Sequence, residues 1–284
     1  MTNDYGNLEL HKVLLSVMKD IDKICRENNI PYFLHAGTLL GAVNHGGFIP
    51  WDDDVDITMM RADYDRFCQI VREKFADRYF MQTYDIDPTH ANNRGVLRIL
   101  GTSVTHVHGD NEKYRSEVAI DIVPLYPVPK SKLIRKIQQA RIWIWDMAIQ
   151  IQRGAVTPCH PFMKCIGLLA KGDRVKIGRR IDRAMRMCKN QNSRDVGILC
   201  YTHRNPYMGR SGYDNEIWPR EWYRQPREIA FEGEMFTTIS EPEAYFNFQY
   251  GTKWAEPYPE EKRISKHDVK SYEISPEVRA RVGL

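Results

Sequence analysis

Apolar residues recur at helical spacing at the start of the chain and alternate with polar residues further on. Residues 8–28 repeat apolar positions every three or four residues, which predicts an amphipathic helix that ends before Pro31. Residues 54–58, reading DVDIT, alternate as a half-buried strand does. Short apolar runs predict further strands at residues 32–36, 79–83, 96–100 and 117–123.

The rest of the pattern completes a mixed α and β chain. Helices are predicted at residues 39–44, 61–74, 131–152 and 161–190, with a break at Gly172, and a hairpin is predicted around Gly233, followed by a helix at 241–250. We expect Pro124, Pro127 and Pro129 to end the sheet. The predicted fold class is α+β, a mixed sheet flanked by helices. The predicted regions are a core at 1–129, a basic helical insertion at 130–200 and a loop-rich part at 201–284 that packs back on the core.

Composition indicates a globular intracellular protein. The chain has 284 residues, of which 42% are apolar and 27% charged, which excludes a disordered chain. No signal peptide and no 18-residue uncharged apolar run occurs, so we expect a cytoplasmic location. Six cysteines are scattered without a disulfide-type spacing. Cys159, His160, Cys165 and Cys188 are a candidate zinc set, and ordinary thiols are the alternative.

Positive charge is concentrated in one segment. Residues 130–189 contain fifteen Lys and Arg against three Asp, a net +12, which leaves −8 for the rest of the chain. This segment, with Trp143 and Trp145, could lie on the inner membrane surface or hold an anionic polymer, and core packing of both tryptophans is the alternative. We expect no nucleic-acid partner. The sequence leaves the oligomeric state open.

The most informative stretch is acidic and lies between apolar residues. It holds four carboxylates in five positions, and their mutual repulsion costs stability unless a cation offsets it; they are Asp52, Asp53, Asp54 and Asp56. Residues two apart on a strand share a face, so Asp54 and Asp56 can converge on Mg²⁺ or Mn²⁺, which prefer oxygen ligands. A calcium-binding EF-hand loop is excluded, because the glycine and the distal glutamate of that motif are missing. An exposed acidic turn is the remaining alternative.

A further carboxylate stands alone in an apolar run. Asp121 in EVAIDIV must be paired, hydrogen-bonded or metal-bound. Asp54, Asp56 and Asp121 together would provide the carboxylates that a metal site for phosphoryl transfer needs. Such a site holds the attacking and leaving oxygens, so we expect all three to be metal ligands and catalytic residues.

Anion-binding and base candidates are less specific. Gly37-Thr38 lies between a predicted strand and a predicted helix start, where free N–H groups favour a phosphate, although most such glycines only allow a tight turn. Arg98 could reach a pyrophosphate or face solvent from an edge strand. His45 is a weak candidate for a general base. A set of aromatic residues could form a cage for a cation or pack loops: Tyr207, Tyr213, Trp218, Trp222 and Tyr223.

Several segments match one known family. The run GTLLGAVNHGGFIPWDDDVDITMMRADYDRF closely resembles the LicD/fukutin family, phosphocholine transferases and related enzymes with a nucleotidyltransferase-like fold. The resemblance extends to DKICRENNIPYFL, IDIVPL, FEGEMF, YFNFQYG and PEEKR, whereas residues 130–201 match none of the family pattern and FTTISEPEAY lacks the usual proline. It implies that Gly37-Thr38 holds donor phosphate and that Asp54, Asp56 and Asp121 form the catalytic set, with Asp52 and Asp53 near the metal.

The resemblance also implies a reaction. A CDP-linked donor such as CDP-choline would pass its phospho-alcohol to a hydroxyl of a cell-surface glycan, teichoic-acid-type or polyol-phosphate precursor, with Mg²⁺ or Mn²⁺ as cofactor and CMP released. Ribitol phosphate fits the same chemistry, and Asp121 could act as ligand, base or both. Two alternatives stay open: a metal-dependent glycosyltransferase that uses a nucleotide sugar, and a non-catalytic module that binds an anionic polymer.

Overall fold

The computed structural model describes residues 5–90, 93–106, 115–199, 212–263 and 269–284, and it divides into two compact units. The first unit comprises Met1–Gln82, Gly95–Pro124 and Trp222–Leu284, and the second comprises Thr83–Arg94 and Leu125–Glu221. These units are discontinuous in sequence, because the second is inserted into the first at two places.

The first unit is built around a central sheet. Its elements are α1 (Leu8–Glu27), β1 (Phe33–Leu34), α2 (Ala36–His45), β2 (Asp56–Met60), α3 (Arg61–Lys74), β3 (Tyr79–Gln82), β4 (Gly95–Ile99), β5 (Thr102–His106), β6 (Ala119–Pro127), β9 (Arg227–Phe231), β10 (Glu234–Thr238), α8 (Pro242–Tyr250), β11 (Val269–Ile274) and α9 (Pro276–Val282). The strand order is β1-β2-β6-β4-β3, and β9/β10 and β5/β11 form two-stranded sheets of their own. The α+β class predicted from the sequence is confirmed.

Alternation along the strands decides which side chains enter the core. Ile120 and Ile122 of β6 are fully buried, while Asp121 between them is only partly buried. Ile57 and Met59 of β2 are likewise buried, while Asp56 is partly buried. Since successive side chains on a strand point to opposite faces, the two aspartates lie on the face opposite the apolar core residues.

The second unit is mainly helical. Its elements are α4 (Lys132–Gln152), α5 (Pro161–Leu169), α6 (Arg174–Met185), β7 (Asp195–Gly197), α7 (Gly212–Asn215) and β8 (Ile217–Pro219), and the last residues of β6 pair with β7. Its core is formed by apolar residues of α4, α5 and α6, and Trp143 and Trp145 pack partly buried against it. Core packing is therefore correct for both tryptophans. No helix in the described part of the chain is long and apolar enough to cross a membrane.

Most predicted elements are confirmed, including α1, α4, the break between α5 and α6, and the β9/β10 hairpin. Helix α2 begins earlier than predicted, so Gly37 and Thr38 lie within its first turn. Strand β2 begins at Asp56, so Asp54 precedes it.

The prediction that Pro124, Pro127 and Pro129 end the sheet is wrong for Pro124 and confirmed for Pro127, the last residue of β6. Strand β6 runs through Pro124 to Pro127, where Tyr126 and Pro127 pair with β7. A proline lacks only its N–H, and its carbonyl still accepts hydrogen bonds, so it can occupy the end of a strand.

Candidate active site

The loop before the acidic run is held by the β9/β10 turn. The Phe48 N–H donates to the Glu232 carboxylate at 3.0 Å, and the Glu232 N–H donates to the Gly46 carbonyl at 2.8 Å. A Cβ on Gly47 would lie 2.0 Å from the Glu232 Oε1, so a larger residue there would have to move the Glu232 side chain away from its bond to Phe48. Glu232 of the FEGEMF motif therefore fixes the Gly46-Gly47 turn.

Helix α1 holds the acidic run at its first residue. The Asp52 carbonyl accepts hydrogen bonds from the Asn7 side chain at 3.2 Å and is 2.7 Å from the His11 Nε2. The His11 ring stacks on Phe48 at 4.1 Å, and burial lowers the pKa of His11. Both ends of the loop are thus tied to buried elements, which fixes the position of the carboxylates that follow.

The start of α2 is bound to the first residue of β2. The Asp56 N–H donates to the Thr38 Oγ1 at 2.9 Å, and the His35 N–H donates to the Asp56 carbonyl at 3.0 Å. Thr38 is buried. Its hydroxyl therefore has a structural contact with the first residue of β2, and phosphate binding by Gly37-Thr38 stays a prediction.

Gly37 lets a carboxylate approach the first turn of α2. A Cβ at this position would lie 2.9 Å from the Asp52 Oδ2, a separation that real Cβ atoms essentially never show. The glycine has no unusual φ, so a side chain here would be felt through the Asp52 carboxylate and not through the backbone conformation.

The negative charges of three of the four carboxylates act on one phenol. The ring of Tyr250, the last residue of α8, stacks on Phe246, and 41% of Tyr250 is exposed. Burial of its hydroxyl group, followed by the negative charges of Asp56, Asp52 and Asp54, raises the pKa of this phenol. The end of α8 therefore lies within the electrostatic field of the acidic run.

A buried histidine extends this group away from the carboxylates. The Tyr245 hydroxyl lies 3.4 Å from the His35 Nδ1, and Tyr245 also bonds to Tyr250. Burial lowers the pKa of His35 to about 4, so its ring is neutral at neutral pH.

The distant aspartate reaches the same place through the sheet. The Asp121 N–H donates to the carbonyl of Val55, the residue between Asp54 and Asp56, at 2.9 Å. Neighbouring strands lie about 4.8 Å apart, so the main chain of Asp121 is adjacent to that of the acidic pair. The two segments that the sequence analysis combined are therefore neighbours in the fold.

The side chains here are of the chemical type that hard divalent cations prefer, and their arrangement is a separate question. The side chains near this sheet position are carboxylates, which Mg²⁺ and Mn²⁺ prefer, and the missing side chain of Gly37 leaves room beside Asp52. Within the described ranges, however, no three His, Cys, Asp or Glu side chains are arranged to hold a metal ion. That statement also covers Cys159, His160, Cys165 and Cys188, so the zinc set gains no support.

Arg98 is engaged within the sheet. Its Nε donates to the Gln82 Oε1 and its Nη1 donates to the Glu117 carbonyl, both at 2.9 Å. These bonds connect Arg98 of β4 to Gln82 of β3 on one side and to Glu117, just before β6, on the other. Contact with a pyrophosphate by Arg98 stays a prediction.

An aromatic cleft of about 780 Å³ opens beside the acidic run, within the first unit. Trp51, the residue before Asp52, has Tyr5, His45 and Tyr258 around its ring at centroid distances of 5.7, 6.0 and 5.9 Å. The cleft is also lined by Trp254, Glu256, Glu260 and Arg263. A smaller cleft of about 350 Å³ shares Tyr5, Trp51 and Arg263 and adds Asp53.

Arg263 forms part of the wall between the two clefts. Its guanidinium lies 5.4 Å from the Trp51 ring centroid, and its Nε donates to the Tyr258 carbonyl at 2.9 Å. Burial and this positive charge lower the pKa of His45, whose role as a base stays a prediction.

Comparison with known proteins agrees with the motifs. Residues 29–136 match the family model described as LicD/FKTN/FKRP, nucleotidyltransferase domain. The Haemophilus influenzae lipopolysaccharide cholinephosphotransferase LicD is 24% identical over 93% of this chain and 97% of its own length.

Residues 29–136 are thus similar to the LicD family, and nearly the whole chain is similar to one of its named members. Two uncharacterized rickettsial proteins are also similar to this chain: one from Rickettsia typhi is 50% identical over 20% of this chain and 19% of its own length, and one from Rickettsia prowazekii is 32% identical over 42% and 46%.

The motifs that resemble the LicD family divide into structural and polar parts in this fold. Glu232 of FEGEMF bonds to Gly46 and Phe48 of NHGGF: its carboxylate accepts from the Phe48 N–H, and its own N–H donates to the Gly46 carbonyl. The YFNFQYG motif brings Tyr245 and Tyr250 to His35 and to the acidic run. The PEEKR motif supplies Glu260 and Arg263 to the aromatic cleft.

Sequence reasoning missed Tyr250 and the cleft around Trp51. Tyr250 and most residues of the cleft are far from the acidic run in sequence, so no local pattern connects them to it. Trp51 is different, because its position directly before Asp52 was an available signal. Three of the five residues predicted to form an aromatic cage at 207–223 are not exposed to a ligand. Tyr213, Trp218 and Tyr223 are buried, and Tyr207 lies outside the described residues.

Proposed function

We propose that this chain is a phosphotransferase that moves phosphocholine from CDP-choline to a hydroxyl of a cell-surface glycan or teichoic-acid-type precursor and releases CMP. The observation that carries the proposal is the hydrogen bond from the Asp121 N–H to the Val55 carbonyl, which sets the isolated aspartate beside the Asp54 and Asp56 pair. The name of the H. influenzae relative, a cholinephosphotransferase similar along nearly its whole length, supports the choice of phosphocholine.

Cation binding is part of this proposal. Asp54, Asp56 and Asp121 would hold Mg²⁺ or Mn²⁺, with Asp52 and Asp53 near it. Such a cation, when bound, supplies charge stabilisation to the phosphoryl oxygens and the leaving group.

The chain's own residues would bind and orient the reactants. The free N–H groups of the first turn of α2 carry the positive end of the helix dipole. They would favour binding of the donor phosphate next to Gly37. The acceptor oxygen would attack the phosphorus distal to the nucleoside, the bond from this phosphorus to the bridging oxygen would break, and CMP would leave. We assign the proton of the acceptor hydroxyl to Asp121, since it stands on the neighbouring strand.

The aromatic cleft would hold the choline group. Quaternary ammonium ions bind among aromatic rings, and this cleft offers Tyr5, Trp51, Trp254 and Tyr258, with Glu256 and Glu260 as negative charges. Trp51, one of these rings, directly precedes Asp52 in sequence. A choline group attached to the bound phosphate could therefore enter the cleft.

A donor screen tests the proposal. Purified protein is incubated with Mg²⁺ and CDP-choline, CDP-ethanolamine, CDP-glycerol, CDP-ribitol or a UDP-sugar, and nucleotide release is measured by chromatography with and without a chelator. We expect chelator-sensitive CMP release that is fastest with CDP-choline. Release of UDP from a UDP-sugar would indicate the glycosyltransferase instead, and the absence of both turnover and Mg²⁺-dependent nucleotide binding in calorimetry would favour the non-catalytic module.

A further inference from the structure

Helix α5 of the second unit is apolar on two opposite faces. Its sequence, PFMKCIGLL, contains one charged residue. At 100° per residue, Met163, Ile166 and Ala170 fall on one side and pack into the unit's core. A helix on the surface of a globular protein normally has a polar outer face, so the opposite side of α5 is the unusual one.

That opposite side is apolar and open to solvent. Phe162, Leu168 and Leu169 are 58%, 65% and 37% exposed, and with Cys165 they fall within an arc of about 120°. Phe162 also stacks on Trp143 at 6.2 Å, which fixes the outer face against α4. Contiguous exposed apolar surface of this kind marks an interaction site more often than it marks ordinary surface.

Positive charges outnumber negative ones in the sequence around α5. Residues 147–172 contain Arg153, Lys164 and Lys171, all exposed, and this stretch is bordered by Asp146 and Asp173. Residues 146–176 carry five cations and two carboxylates, a net positive charge that complements a negatively charged partner with an apolar interior.

The same charges argue against a second copy of the chain. A symmetric dimer places the same patch of both copies face to face. Two copies would then bring together segments that are both net positive, which opposes their association. A lipid surface with anionic head groups has no such conflict, since it offers negative charge at the rim and hydrocarbon beneath.

We propose that α5 inserts its outer face into the head-group region of a membrane that contains anionic lipid. The helix has nine residues, so it is about 14 Å long, too short to span a hydrocarbon layer of about 30 Å, and it would lie in the plane of the surface. Phe162, Leu168 and Leu169 enter the acyl boundary, and Arg153, Lys164 and Lys171 contact the head groups. This inference does not depend on the proposed reaction.

Vesicle sedimentation of the full chain tests the inference. Vesicles of phosphatidylcholine alone are compared with vesicles of phosphatidylcholine mixed with phosphatidylglycerol, at low and high salt. We expect binding to the mixed vesicles that weakens as salt rises, because exposed charges are screened, and weaker binding to phosphatidylcholine alone.

Matched variants distinguish insertion of α5 from non-specific binding of the protein to vesicles. Leu168→Ser should lower the partition coefficient by about tenfold, the order of loss expected when one leucine leaves an apolar environment. Leu8→Ser removes a leucine of matching exposure, 62%, from the first unit and should bind like the wild type. Lys164→Glu should weaken binding to mixed vesicles, whereas Lys189→Glu, an exposed lysine beyond α6, should have a smaller effect.

Three outcomes would overturn the inference. They are failure of the wild type to sediment with mixed vesicles, equal binding by Leu168→Ser and Leu8→Ser, and a dimer in gel filtration that Leu168→Ser dissociates, which would identify a second copy as the occupant. Circular dichroism and thermal unfolding of each variant confirm that the fold is unchanged.

Discussion

The two units of this protein place their charges in opposite ways. In the first, an acidic run begins a strand of the sheet and raises the pKa of Tyr250, and the main chain of Asp121 on the neighbouring strand bonds to that of Val55. In the second, a net +12 is spread over residues 130–189 around helices whose outer face is partly apolar. Concentrated carboxylates indicate chemistry at one point, whereas dispersed cations around an apolar face indicate contact with a surface. The comparison predicts that substitutions in the first unit change turnover and that those in the second change binding to membranes or stability.

The largest effect should come from the acidic pair. Asp54→Asn or Asp56→Asn should lower CMP release from CDP-choline by about 10³-fold or more, because cation and transition-state charge stabilisation is worth several kcal/mol. The measurement is the initial rate with saturating Mg²⁺.

An aspartate outside the site provides the control. Asp77 is exposed just beyond α3, so Asp77→Asn should keep wild-type activity. Near-normal rates in Asp54→Asn and Asp56→Asn would mean that this acidic run is not the reaction centre.

The aromatic cleft should affect the donor's apparent affinity. Tyr258→Leu removes the ring that stacks on Trp51 and should raise the KM for CDP-choline by about tenfold, with a smaller effect on kcat. Tyr258→Phe keeps the ring and should match the wild type. If both variants keep a normal KM, choline binds elsewhere, although the metal site could still be correct.

Gly37 tests close approach in the first unit. Gly37→Ala should lower activity by about tenfold, because the added Cβ would come within 2.9 Å of the Asp52 Oδ2 and push that carboxylate aside, while helix propensity keeps stability equal or slightly higher. Gly167→Ala, in helix α5, meets its nearest atom at 3.8 Å and should leave activity unchanged. A fully active Gly37→Ala would show that the position of Asp52 does not matter.

The smallest effect is on stability in the second unit. Burial raises the pKa of Glu216 to about 8 from its ordinary value of 4.5, and its Oε2 accepts no hydrogen bond within the described residues. Between these pH values the folded chain keeps a proton that the unfolded chain releases, so stability falls as pH rises.

Glu216→Gln should remove this dependence. We expect its free energy of unfolding to exceed that of the wild type by on the order of 1 kcal/mol at pH 8 and to be similar at pH 4.5. Denaturant unfolding at both pH values measures the difference. A variant that is less stable at pH 8 would mean that Glu216 is ionised and paired.

Local patterns predicted the elements of this fold better than the roles of single residues. The long apolar periodicity of α1 and the turn around Gly233 are local signals, and both elements are confirmed. The continuation of β6 through Pro124 depends on pairing with β7, some seventy residues further along the chain, which no local pattern contains.

Single residues depended on distant partners. The bonds of Arg98 to Gln82 and of Glu232 to the Gly46-Gly47 turn are set by tertiary contacts. Tyr213 and Trp218 sit in a sequence rich in turn residues, yet both are buried. The acidic run was readable because its carboxylates are adjacent in sequence, and Asp121 because a charge is rare within an apolar strand.

Binding of Mn²⁺ to Asp121→Asn tests the central claim most directly. Calorimetry on the wild type and on Asp121→Asn, with Asp77→Asn as the control, reads the cation site without any need for turnover. We predict that the wild type and Asp77→Asn bind Mn²⁺ with the same affinity and that Asp121→Asn binds it at least about tenfold more weakly, because a direct oxygen ligand is lost. Equal Mn²⁺ affinity in Asp121→Asn and the wild type would contradict a site built from the two segments.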